Sequence, residues 1–263
     1  MNVSGKKRLL ALLCLLLLSA AGCRGTAEEP AQPLPRLVIG SDAFSPYFYL
    51  DEDGNYAGVD AELAREACRR LGYEPEFRLL VWDRKDEALA DGTVDCLWGS
   101  FSMNGREENY TWAGPYLQSR QMVAVLAESE AQTLADLAGL RVAVQATGKA
   151  EELLCAEDRT GLPAAGAVYC FSTMDEVWAA LRGGYADAVA GHESALRSRL
   201  SADPDRYRLL AEPLLLSDLG VAFEKGTHTE LARALTEVLA EMQADGTVRA
   251  AAQAYGLDGE GVQ

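Results

Sequence analysis

The chain has 263 residues, 49% of them hydrophobic and 24% charged, and a formal net charge of −16. So acidic a chain repels nucleic acid and anionic membrane surfaces, which sets polyanion binding aside. Its only two histidines, His192 and His228, leave no histidine-rich metal centre, and its cysteines never show the paired CxxC spacing of a zinc site.

Lysines and an arginine at 6–8 precede an apolar run at 9–20, shorter than the ~20 residues that a membrane-spanning helix needs. This pattern is expected to be a secretory signal covering residues 1–22. Its end, "LSAAGC", places small residues directly before Cys23 and resembles a bacterial lipobox, in which that cysteine is lipidated. Residues 23–35, rich in Pro, Ala and Glu, then read as a flexible tether. Signal removal takes three basic residues and no acids, so the mature chain is more acidic still. About 230 residues remain, enough for one large domain or two smaller ones.

Short apolar runs alternate with amphipathic ones. Strands are expected at 36–41, 73–80 and 94–100, with helices at 60–72 and 84–92 between them. The first helix repeats its apolar residues at Leu63, Ala64, Ala67, Cys68 and Leu71 and closes on Gly72. A second unit follows, with strands at 140–146, 167–172 and 186–191 and helices at 148–157 and 173–184, the latter capped by Thr173. Helices at 228–246 and 247–256 end the chain. This order implies parallel α/β sheets covered by helices, and two such lobes commonly close on a ligand. Cys155 and Cys170 fall on a helix and the strand after it, spaced so that a local bridge and two separate thiols are both open. Cys68 and Cys96 read equally as buried apolar thiols.

In parallel α/β sheets, ligands gather beyond the carboxyl ends of strands. The residues there are Asp42, Ser100, Ser102, Arg106, Gly148 and His192. Asp42, with Phe44 and Tyr47 near it, suits an ammonium beside an apolar wall, and serves equally as a turn former. Arg106 offers a planar fork for a carboxylate, although a lone arginine more often pairs on the surface, here with Glu107 or Glu108. Residues 142–152, "VAVQATGKAEE", put a Thr-Gly turn at a helix N-terminus, which favours an anion. A phosphate loop is ruled out, because "TGK" lacks the upstream glycine and Ala150 stands at the hydroxyl position. Leu196 likewise replaces the second histidine of HExxH, and no GxSxG motif accompanies His192.

Taken in order, these segments resemble the family-3 extracellular solute-binding proteins, the polar amino-acid receptors of ABC importers. The resemblance begins with "IGSDAFSPYFYLDEDGNYAGVDAELAREACRRLG" and continues through "DGTVDCLWGSFSMNGRE", "WAGPY", "LADLAGLRVAVQATGKAEE", "GGYADAVAG" and "LGVAFEKGT". It implies a two-lobe α/β fold of the type II periplasmic-binding-protein kind, with lobe one at 36–115 and 220–263 and lobe two at 121–214. Hinge crossings are expected at 116–120 and 215–219.

The resemblance also implies roles. Arg106 grips an α-carboxylate with Ser102 and the Ser100 backbone beside it, and Gln145, Thr147, Gly148 and Lys149 form the second-lobe turn that meets the same group. Phe44 and Trp82 flank the ligand side chain, and Asp42 matches the first-strand acid. Ser102 and Arg106 are four residues apart where the family has five, and a lysine replaces a hydroxyl in the turn. His192 stands at the family aspartate with Glu193 next to it. Either Glu193 takes the ammonium, or the ligand is not a standard α-amino acid. The implied protein is a lipid-anchored, exported monomer that needs no cofactor or metal and hands a small zwitterion to a permease. Two alternatives use the same fold: a dehydratase-like enzyme, with Glu193 and His192 as acid and base, and a sensory module acting with a signalling partner.

Overall fold

The computed structural model describes residues 33–156, 161–162 and 164–257. The signal, Cys23 and most of the tether lie outside the described residues. No helix among the described residues is long and apolar enough to cross a membrane, and they include no cluster of three or more His, Cys, Asp or Glu suited to a metal ion.

The first strand, β1 (Arg36–Ser41), runs into an aromatic segment and a small hairpin of β2 (Tyr49–Leu50) and β3 (Tyr56–Ala57). Helix α1 (Val59–Leu71) follows as its periodicity dictates. It buries Leu63, Ala64, Ala67 and Cys68, carries acids in its first turn and Arg69 and Arg70 in its last, and ends on left-handed Gly72. Strand β4 (Glu74–Leu79), a short 3₁₀ turn at Trp82–Arg84, and α2 (Lys85–Ala90) lead to β5 (Cys96–Leu97). The expected strand over 94–100 is thus cut to two residues. Gly99 packs so tightly on Ser41 that an added Cβ would lie 2.0 Å from its Oγ, and Ser100 then turns left-handed at φ 46°.

Strand β6 (Thr111–Leu126) is long and largely buried, and leads through a 3₁₀ turn at Leu134–Leu137 to β7 (Arg141–Gln145). Helix α3 (Lys149–Cys155), β8 (Ala167–Phe171), α4 (Met174–Arg182) and the wholly buried β9 (Ala188–His192) come next. The cap expected at Thr173 forms, and as a capping box, with Thr173 and Glu176 bonding reciprocally. Helix α5 (Glu193–Ala202) and strands β10 (Tyr207–Leu209) and β11 (Leu215–Phe223) precede the closing helices α6 (Thr229–Ala244) and α7 (Thr247–Ala254).

One curled sheet carries these elements in the order β4-β1-β5-β11-β6-β9-β7-β8, with β10 also paired to β6. β4, β1 and β5 are mutually parallel, as are β9, β7 and β8. Between these blocks β11 runs antiparallel to both β5 and β6, and β6 runs antiparallel to β9. Each parallel block has its own apolar core. Leu37, Ile39, Leu63, Trp98, Phe223 and Leu235 join in one, and Val123, Leu137, Val142, Val144 and Leu154 in another. Cys68 and Cys96 are buried in the first core, where burial pushes the Cys68 thiol up to about 11. Cys155 and Cys170 are exposed.

Candidate functional site

The two parallel blocks face each other with their strand ends converging on one cleft that holds ≈ 450 Å³ of empty space, its open mouth included. All the expected site residues line it except Thr147 and Glu193. Residues from both blocks bond across it. Gln145, at the end of β7, donates to Asp42, beyond β1, at 2.5 Å. Ser194 Oγ donates to the Tyr47 hydroxyl at 2.6 Å.

Arg106 sits on the loop after β5, which is held by a turn in which its own N–H donates to the Met103 carbonyl at 2.8 Å, while the Trp112 indole N–H caps the Arg106 carbonyl at 3.0 Å. Its guanidinium lies 5.1 Å over the Phe101 ring. Nε pairs with Glu152 of α3 at 2.9 Å, whereas the two terminal nitrogens make only long contacts, to the Ser102 carbonyl at 3.5 Å and the Thr147 carbonyl at 3.3 Å. The surface pairing with Glu107 or Glu108 does not form. Beside it the Ser102 hydroxyl lines the cleft, is 1% exposed and has no hydrogen-bond partner. A buried orphan hydroxyl costs about 1–3 kcal/mol unless something bonds it.

Ser100 keeps its left-handed turn because its N–H donates to the buried Asp60 carboxylate at 2.6 Å, which also accepts from the Tyr116 hydroxyl at 2.8 Å. On the other wall, Lys149 opens α3 with its Nζ bonded to the Asn104 carbonyl and to Glu152. Thr147 turns its hydroxyl away from the cleft, accepting from Lys85 Nζ at 3.0 Å.

Asp42 and His192 are both buried and both shifted. Burial pushes the Asp42 carboxyl up to about 6 despite the Gln145 hydrogen bond. Burial, and then the Arg106 charge, lower His192 to about 3, so its ring is neutral. That ring bonds Ser119 Oγ at 3.1 Å and stands edge-on to Phe44, with centroids 5.9 Å apart. Linkage fixes the sign of the consequence. A histidine lowered in the fold contributes stability that is present above pH 6.5 and lost as pH falls toward 3. His192→Gln is therefore expected to flatten the acid limb of a stability-against-pH curve by about 1.4 kcal/mol per pH unit below 6.5, as read by urea midpoints.

Glu193 is placed elsewhere. As the first residue of α5 it is buried with its carboxylate gripped by Arg120 at 2.5 Å and Arg197 at 2.6 Å, and it does not line the cleft. Gln121, Phe101 and Met174 line the cleft although the sequence reading did not single them out. Gln121 left a signal, since it is the polar start of the otherwise apolar "QMVAV" stretch of β6. Lys85 left none, for a lysine on a short polar helix reads as solvated.

The profile of the bacterial extracellular solute-binding proteins, family 3, matches residues 37–258. The chain is 24% identical over 259 residues to the L-cystine-binding protein TcyJ of Escherichia coli K12, covering 95% of each chain. It is 27% identical over 263 residues to the histidine-binding periplasmic protein of Salmonella typhimurium LT2, covering 95% of this chain and 96% of that one. Among solved structures, Tv2483 bound to L-arginine superposes with a TM-score of 0.76 at 29% identity, covering 84% of this chain and 90% of that one. A polar cleft between two α/β lobes and a profile match over nearly all of the described residues agree, and the chain belongs to the bacterial extracellular solute-binding proteins of family 3.

Proposed function

We propose that the protein captures a small amino acid and delivers it to an ABC permease, without catalysing a reaction on it. The observation that carries this reading is the clamp: Arg106 with two weakly engaged terminal nitrogens, the orphan Ser102 hydroxyl, and the backbone at the start of α3 on the facing wall. A guanidinium fork, a hydroxyl and a helix end are complementary to one carboxylate. With Glu193 outside the cleft, Asp42 rather than Glu193 accepts from the ammonium of a standard α-amino acid, and Phe44, Trp82 and Met174 supply an apolar wall for the rest of the solute.

The solute favours the closed form because it touches both lobes at once. The register Leu219↔Leu117 to Leu215↔Gln121 sets the crossings at 116–120 and 215–219 side by side, which supports the hinge there. Lobe one then comprises 36–115 and 220–263, and lobe two 121–214. Lipidation at Cys23 tethers a monomer outside the cytoplasmic membrane. With Glu193 held by two arginines away from the cleft, the acid and base of a dehydratase-like site are not assembled there.

A thermal-shift screen of the mature chain against the standard amino acids tests the reading. At least one is expected to raise the melting temperature by several degrees at a hundredfold excess over its Kd, since such an excess adds about 2.7 kcal/mol. A well-folded protein that none of them stabilises would refute amino-acid capture.

A further inference from the structure

We propose, building on the amino-acid reading above, that the solute is an acidic amino acid whose second acid group is bound by Lys149. Three cations crowd the cleft. Arg106 and Lys149 line it, and Lys85 stands directly behind two of its walls, with Nζ 5.4 Å from the Trp82 ring and 5.8 Å from the Phe101 ring. Their side chains are 11%, 4% and 4% exposed. The cleft offers them one buried carboxylate, Asp42, which is already bonded to the Gln145 amide. The other acids near them are solvent-facing: Glu152 and Asp86 have side chains 40% and 62% exposed, Glu107 is exposed, and Glu151 holds the Thr147 N–H, so water screens their charge. His192 adds no anion. A zwitterion leaves this enclosed surplus of positive charge uncompensated, and a solute with a basic side chain enlarges it. A solute of net negative charge neutralises it.

The geometry shows where the second acid goes. Glu152 bridges the two lining cations, pairing with Arg106 Nε and with Lys149 Nζ, so a carboxylate fits between them. The terminal nitrogens of Arg106 point past this bridge and take the α-carboxylate together with Ser102. The side-chain acid of the solute displaces Glu152, which swings into the solvent it already half occupies, and bonds Lys149. Lys85 contributes its field through the aromatic wall and fixes the facing turn through Thr147.

Isothermal titration of the mature protein with L-glutamate, L-aspartate, L-glutamine, L-asparagine, L-arginine and L-histidine tests this. One of the two acids is expected to bind at least about tenfold more tightly than its own amide, because a neutral amide that displaces Glu152 does not replace its charge at Lys149. Lys149→Met is expected to collapse that acid-to-amide ratio to below about threefold. Should Lys149→Met fail to fold, Glu152→Gln reads the same contact from the rim. It removes the internal competitor and is expected to tighten the acid by about threefold or more, since a freed binding partner raises apparent affinity. Preferential binding of an amide or of a basic amino acid would overturn the acidic assignment and leave amino-acid capture standing. Binding of none of the six would overturn this assignment, and the full amino-acid screen then decides the broader reading. Equal weakening of acid and amide by Lys149→Met would move Lys149 to the shared α-carboxylate and overturn its role here.

Discussion

Arg106→Ala is expected to weaken solute binding by about thirtyfold to several thousandfold while leaving the fold intact, because truncating one partner of a buried, hydrogen-bonded charge pair costs about 2–5 kcal/mol. The side chain is 11% exposed and its terminal nitrogens reach no side-chain acid, so its removal breaks little of the protein's own architecture. Glu152 loses one partner and keeps Lys149. Circular dichroism should therefore be unchanged and the melting temperature should shift by only a few degrees. Arg106→Lys is expected to recover little, since an ammonium is a point charge that cannot present two parallel N–H groups. A Kd within about threefold of wild type for Arg106→Ala, measured by titration calorimetry, would remove the clamp from the mechanism.

Asp60→Ala is expected to destabilise the fold by about 2–6 kcal/mol. Asp60 is 1% exposed, and its loss strands two buried donors, the Ser100 N–H and the Tyr116 hydroxyl, each worth about 1–3 kcal/mol when unsatisfied. It also releases Ser100 from a left-handed turn that a non-glycine residue adopts only under constraint. The result would appear as a lower urea midpoint at an unchanged slope. Binding should weaken too, because the same turn carries the Ser102 clamp. Burial pushes the Asp60 carboxyl up to about 7. A raised carboxyl favours the protonated folded state, so its contribution is fully present below about pH 3.8 and is lost as pH rises through about 7. That sense is opposite to His192. Subtracting the Asp60→Asn curve from wild type isolates it, and a flat difference between pH 4 and 7 would show that Asp60 does not titrate in this range.

Much of the chain was legible because local physics and tertiary packing agree there. The apolar repeat at Leu63, Ala64, Ala67 and Cys68 leaves one buried face, and Gly72 ends it, so α1 forms where periodicity puts it. Thr173 caps α4 as its place before the helix suggests, and Glu176 closes the box. The segment around Arg106 read as a carboxylate clamp only through the family resemblance, since a lone arginine by itself reads as a surface ion pair. Strand β6 was not among the expected elements. Gly114 and Pro115 interrupt its pattern, yet the strand runs through them, and Pro115 is exposed. The register of β11 shifts between Leu219 and Val221 opposite them, so the missing proline donor is accommodated at an irregularity.

Other outcomes depended on partners far away in sequence. Whether Glu193 or His192 faces the cleft could not be read from their adjacency. The choice follows from Arg120, 73 residues earlier, which together with Arg197 holds the glutamate while Ser119 and Gln121 hold the imidazole. Thr147 is similar: its turn was legible, but Lys85, 62 residues away, takes its hydroxyl.

The two parallel α/β blocks with most of their helices, and the family, were thus determined by the sequence itself, because periodicity, capping and short motifs act over a few residues, whereas β6, β10, β11 and α5 were not expected from it. The charge balance inside the cleft was decided only by the tertiary structure, since it depends on which ionisable side chains are buried and which remain in water, and burial is a property of contacts between distant segments.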